Sequence, residues 1–118
     1  MKTVLLLGAS GNIAPHIIPG LERYYHLRLA DIKPHPGGKR TLTVDMGVYE
    51  QVLEAARGVD AIMNWTVVRG DAEQSFTVST RGAYHVMKAA KELGIRKVLH
   101  TGPELIINGY RHEHDIGD

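Results

Sequence analysis

Apolar residues along the chain alternate between short continuous runs and runs with helical spacing. Thr3–Leu7 is a β-branched and leucine stretch closed by Gly8, the signature of a strand buried on both faces. After Gly11 the apolar positions Ile13, Ile17, Leu21 and Tyr25 recur every four residues and predict a helix. Pro15 fits its first turn, Pro19 kinks or loosens its interior, and fraying is expected after Arg23. His26–Ala30 reads as a second strand, followed by the turn-rich "DIKPHPGGKR"; Thr41–Val44, ending at Asp45, reads as a third. Val48, Val52, Leu53 and Ala56 mark a helix stopped at Gly58, and Ala61–Trp65 a fourth strand. Phe76, Thr80, Ala83, Met87 and Ala90 step by helical intervals toward a stop at Gly94, and Lys97–Thr101 is the fifth strand. Strand and helix in this alternation predict a parallel sheet covered on both faces.

Composition narrows the class of protein without naming it. The 118 residues amount to one domain, expected to bury about 65% of the unfolded surface. With 43% hydrophobic residues, 23% charged residues and a net charge of +1, neither disorder, a nucleic-acid footprint nor a polybasic membrane anchor is expected. The chain has no cysteine, which suits a reducing compartment. "MKTVLLLG" lacks a signal peptide's apolar length and cleavage site, and no run is long enough to span a membrane, so a cytoplasmic location is expected.

The chemistry begins at "GASGNIA". Gly8 lets the chain turn off the strand, Gly11 permits close approach of a ligand to the backbone, and Ala14 lets the helix lie near the sheet. The N–H groups of the first helical turn and the positive end of the helix dipole then favour an anion, and a pyrophosphate has the size and charge to fit. Asp31 closes the second strand about 20 residues after Gly11, where a carboxylate can accept the hydroxyls of an adenosine ribose. Glycines alone would mark only a tight connection; between a strand and a helix, with an acid at the next strand end, they predict a dinucleotide site.

"GASGNIA", "LADI", "VDM", "VDAIMNWTVV" and "STRGAYHVMKAAKELGIRKVLHTG" together resemble the N-terminal half of an extended short-chain dehydrogenase/reductase, the NAD-dependent epimerase/dehydratase family, over nearly the whole chain. The resemblance implies an α/β fold: a Rossmann-type doubly wound parallel sheet, strand order 3-2-1-4-5, truncated after the fifth strand, with residues 1–118 a single dinucleotide-binding domain. It implies that Gly8, Ser10, Gly11, Asn12 and Ile13 meet the pyrophosphate, Asp31 and Ile32 the adenosine, and Asp45 with Met46 the adenine. Trp65, Thr66 and Val67 would face the nicotinamide, with Arg69 near the phosphates. Asp31 favours NAD, because its charge repels a 2′-phosphate, while Lys33 beside it leaves NADP open. Read without the resemblance, Asp45 is a solvated turn residue.

Family members that do chemistry carry a Ser or Thr after the fifth strand and a Tyr-x-x-x-Lys on the next helix, the lysine lowering the tyrosine's pKa. Here "HTGPE" puts Gly102 and Pro103 at the serine positions and leaves Thr101 as the nearby hydroxyl and the catalytic candidate. "YHVMK", Tyr84 to Lys88, precedes the fifth strand; with Ala83 and Met87 in the buried stripe, it is expected to be a surface pair. The expectation is therefore the cofactor-binding half of an epimerase, dehydratase or oxidoreductase acting on a nucleotide-sugar-type substrate, inactive by itself. The alternative is a stand-alone NAD(H) sensor or subunit module; a reading frame continuing into a Tyr-x-x-x-Lys would exclude it. The tail "GYRHEHDIGD" offers His112, Glu113, His114 and Asp115, donors sufficient for zinc, but without a second cluster it reads as a solvated connection and no metal is assigned. A bare fifth-strand edge, covered by "ELIINGY" or by another chain, predicts a homodimer.

Overall fold

The computed structural model describes residues 1–68 and 70–101. Five strands, β1 (Thr3–Leu7), β2 (His26–Asp31), β3 (Leu42–Thr43), β4 (Ala61–Asn64) and β5 (Lys97–His100), form an all-parallel sheet in the order β3-β2-β1-β4-β5. This is the Rossmann-type order expected from the sequence. Sequence order reverses direction between β1 and β4, and in sheets of this kind the crevice at that switch point, outside the carboxyl ends of the strands, is where ligands bind. Strand ends differ from the prediction by a residue or two; β3 is the shortest, pairing only Ala30 with Leu42 and Asp31 with Thr43.

Alternation along the strands divides the core in two. Leu6 and Leu29 face α1 (Ala14–Leu21) and bury against Ala9, Ala14 and Ile18. Leu5, Leu7 and Ile62 face the opposite side, packed against α2 (Tyr49–Ala56) and α4 (Gly82–Leu93) through Val52, Leu53, Val86 and Ala89. Burial of a side chain such as Ile18, fully inaccessible, contributes roughly 1.5–3 kcal/mol. The helix after Gly11 forms as predicted, but its inner face is Ala14 and Ile18, one residue out of phase with the Ile13 and Ile17 series; Ile13 is exposed. Pro19 sits inside the helix, which ends at Leu21, two residues before the expected fraying point. Arg28 closes the C-terminus of α2, its guanidinium donating to the carbonyls of Ala55 at 2.7 Å and Arg57 at 2.6 Å.

The helical segment before β5 is a correction. α3 (Ala72–Phe76) runs into a π-turn over Thr77–Arg81, in which the Gly82 N–H bonds to the Thr77 carbonyl, before α4 begins. A π-turn carries more residues per turn than the α-helix, so the stripe read across it loses phase. The buried face of α4 is Gly82, Val86, Ala89 and Ala90, while Phe76 and Met87, expected inside, are 63% and 51% exposed. Gly94 ends α4 in the left-handed conformation, at φ 71°, as its glycine predicts.

Candidate functional site

At the end of β1 the Gly8 N–H donates to the Ala30 carbonyl at 2.9 Å and the chain turns with φ +84°. A Cβ on Gly8 would lie 2.6 Å from the carbonyl carbon and oxygen of Trp65 and 2.8 Å from the Thr66 nitrogen. The first glycine is therefore needed twice, for its φ and because the backbone leaving β4 runs directly against it. Gly11 is less constrained: its N–H donates to the Gly8 carbonyl at 3.2 Å, and a Cβ there would meet only that oxygen, at 3.3 Å. No side chain caps the start of α1 and no acidic residue stands in its first turn. The positive end of that helix is therefore not neutralised by its own side chains and is open to an anion. Asn12 and Ile13 are exposed there, and Ser10 is half-buried.

Asp31 joins this turn directly. Its Oδ2 accepts the Ser10 N–H at 2.9 Å and its Oδ1 accepts the Lys33 N–H at 3.0 Å, while the Ser10 hydroxyl donates to the Lys33 carbonyl at 2.9 Å. A carboxylate has about four lone-pair positions, so about two remain for further donors such as a vicinal diol. The end of β2 and the glycine turn thus form one knitted unit, with Ile32 exposed beside it.

Asp45 and Met46 separate. Asp45 is exposed; its Oδ1 accepts the Gly47 N–H at 2.8 Å, and it borders a cavity of about 380 Å³ with Gly47, Val48, Asp71, Thr77 and Arg81. Met46 is buried in the core against Gly82, and its carbonyl faces His85 Nδ1 at 2.7 Å. A second cavity of similar volume lies by Thr3, Arg28 and Leu42, around the beginning of β1 and away from the glycine turn.

At the end of β4 the Trp65 N–H donates to the Leu7 carbonyl at 2.8 Å, and the indole Nε1 is buried with no partner among the described residues. Such an orphaned donor beside the switch point can serve an acceptor on a bound molecule. Thr66 is half-buried and Val67 exposed. Thr101 stands exposed after β5, its N–H donating to the Asn64 carbonyl at 3.2 Å. Arg69, Gly102, Pro103, "ELIINGY" and the histidine-rich tail lie outside the described residues. Tyr84 and Lys88 are both exposed, as expected; Lys88 Nζ lies 4.2 Å from the centre of the Tyr49 ring and Tyr84 stacks at a tilt on His85. Among the described residues no cluster of three or more metal-ligating side chains occurs, and no helix is long and apolar enough to cross a membrane.

One residue at this edge carried no motif in the sequence. Asn64 is buried at the end of β4, its Oδ1 accepting from the Thr66 hydroxyl at 2.6 Å and the Thr66 N–H at 3.2 Å, its Nδ2 facing His100 Nδ1 at 3.2 Å. The readable signal was a polar residue closing an apolar strand on the ligand-binding edge of a parallel sheet. Although the residue is exposed, desolvation of the His100 ring by its neighbours draws its pKa below the ordinary imidazole value and favours the neutral form.

No family model matches the chain. Its sequence is 27% identical over 122 residues to YtbQ, an uncharacterised protein of Bacillus subtilis, covering 96% of this chain and 48% of that protein. It is 28% identical over 120 residues to the uronate dehydrogenase of Pseudomonas syringae, covering 96% of this chain and 44% of the enzyme. The chain thus spans about half the length of the curated relatives it matches. Uronate dehydrogenase from Agrobacterium tumefaciens superposes with a TM-score of 0.78 at 23% identity, covering 86% of this chain and 41% of that structure. A point mutant of the same enzyme, solved in complex with NAD, superposes equally well. In sequence and in fold, the chain resembles the N-terminal, Rossmann-type half of a short-chain dehydrogenase/reductase.

Proposed function

We propose that this chain is the NAD-binding unit of a short-chain dehydrogenase/reductase that acts on a sugar-derived substrate. The observation that carries the reading is the bond from the Ser10 N–H to Asp31, which sets the acidic end of β2 against the glycine turn at the switch point of the sheet. Gly8, Ser10, Gly11, Asn12 and Ile13 hold the pyrophosphate at the uncapped start of α1. Asp31 takes the adenosine ribose and favours NAD over NADP, Ile32 and the Asp45–Met46 backbone border the adenosine, and Trp65, Thr66 and Val67 face the nicotinamide. Bound there, NAD supplies hydride acceptance and return. The chain's own residues bind and orient the dinucleotide, and Thr101 places a hydroxyl at the end of β5 beside the reacting groups. The uronate dehydrogenases found in both comparisons support a sugar acid as substrate of the whole protein, and the family resemblance supports a nucleotide sugar. Either is an oxidisable sugar whose carbinol C–H gives hydride to the cofactor while the attached hydroxyl gives its proton to a general base.

The single tryptophan supplies the test. Excitation of Trp65 during a titration with NADH is expected to show saturable quenching with sensitised dinucleotide emission. Gly11→Val should weaken it while the fold is kept, because a Cβ at Gly11 meets only the Gly8 oxygen. A folded sample showing no transfer and no NADH binding by calorimetry would overturn the assignment.

Self-association belongs to the same reading. Among the described residues β5 ends the sheet, and Leu99 on it is 47% exposed, an edge that a second copy can cover. Light scattering is expected to give a dimer mass; a monomer persisting at high micromolar concentration would refute this.

A further inference from the structure

The polar groups at the ends of β4 and β5 have a fixed hydrogen-bonding polarity. The Thr66 N–H can only donate, so the Asn64 atom facing it is the carbonyl Oδ1, and the other end of the amide is the NH₂. That NH₂ can only donate, so the His100 nitrogen facing it, Nδ1, is the unprotonated one. The ring proton of neutral His100 is therefore on Nε2. The Thr66 hydroxyl, 2.6 Å from an oxygen that only accepts, must spend its proton there, which leaves Oγ1 an acceptor. Asn64 and His100 are register partners in adjacent strands, so β-sheet pairing holds the arrangement.

We propose that Asn64 is a positioning residue that presents His100 Nε2–H as a donor and Thr66 Oγ1 as an acceptor to the carboxamide of the nicotinamide. A carboxamide has the matching pair, a carbonyl for the donor and an NH₂ for the acceptor. The proposal rests on the NAD-binding reading and adds to it the group at the crevice that recognises the reacting end of the cofactor. Desolvation, which lowers the His100 pKa, favours the neutral form that this arrangement requires.

Two ligands separate recognition of that end from integrity of the crevice: NADH, and ADP-ribose, which lacks the nicotinamide. His100→Leu alters an exposed position and is expected to weaken NADH about tenfold, the loss of roughly one hydrogen bond, while ADP-ribose affinity stays within about twofold. Asn64→Leu should do the same. Asn64→Asp retains the acceptor for Thr66 but faces His100 with an acceptor, so it should draw the ring proton to Nδ1. Nitrogen-15 NMR of the imidazole is expected to show Nε2 protonated in the native chain and a changed signature in Asn64→Asp. Equal losses for both ligands, or no loss for either, would make these residues part of the wall only and overturn the proposal. A native Nδ1-protonated ring would overturn the arrangement itself, whether or not any ligand binds. A native chain that binds neither ligand overturns the dinucleotide reading, and the carboxamide assignment with it, while the NMR result still decides the tautomer.

Discussion

Gly8→Ala is expected to destabilise the fold by about 2–5 kcal/mol, read as a fall in the urea midpoint. Two costs add. A residue with a Cβ pays about 1–2 kcal/mol to hold the left-handed conformation at φ +84°. The new methyl would also lie 2.6 Å from backbone atoms of Trp65, and backbone cannot rotate away as a side-chain tip can. Overpacking of that kind costs about 1–3 kcal/mol. Relief requires the end of β4 to move, which breaks the bond from the Trp65 N–H to Leu7 and disturbs the Asn64–Thr66 contacts. Against a total stability of about 5–15 kcal/mol, that is a large share. A loss below about 1 kcal/mol would show that the turn and β4 are not held together as described. Gly11→Ala serves as the control, since its nearest neighbour is one oxygen at 3.3 Å.

The contrast between these glycines shows how far the sequence could be read. A strand, a glycine, a second glycine and a helical pattern are local features, and their alternation predicts a parallel sheet, while the order 3-2-1-4-5 comes from the family resemblance. Which glycine faces which backbone is not local: the crowding at Gly8 comes from residues 57 and 58 positions further on, brought in when β4 pairs with β1. The phase error in α4 has a different cause. Thr77–Arg81 has no proline or paired glycines to announce a π-turn, so the spacing reads as an uninterrupted α-helix and turns Met87 inward where Val86 belongs. In α1 the error is smaller, because the connection from Gly8 to Ala14 decides which face of the helix meets the sheet, and a four-residue repeat cannot reveal it. Asn64 is not legible in the sequence because its value lies in partners on two different segments, Thr66 close by and His100 across the sheet. The short β3 and its two pairs left the position of Asp45 legible only as a turn.

Asp31 joins local and distant roles, and its removal is expected to have the largest effect on binding. Asp31→Ala takes away the acceptor for ribose hydroxyls and, at the same moment, the oxygens that hold the Ser10 and Lys33 N–H groups. A hydrogen bond to a charged group is worth about 1.5–3 kcal/mol, so loss of the ribose contacts alone should weaken NADH about tenfold to a hundredfold. The freed Ser10 N–H lies in the turn that receives the pyrophosphate, and its loss of position adds to the same number. Because the negative charge also goes, NADPH should lose less affinity than NADH, and the preference between them should narrow. Asp31→Asn separates the contributions: it keeps one carbonyl acceptor but sets an NH₂ group against one of the two backbone donors, so discrimination against NADPH should fall as in the alanine variant while part of the NADH affinity remains. Calorimetric titration of both cofactors against all three chains, with circular dichroism to verify folding, gives the result directly. If folded Asp31→Ala binds NADH as the native chain does, the carboxylate only ties the loop after β2 to the glycine turn, and the ribose is held elsewhere.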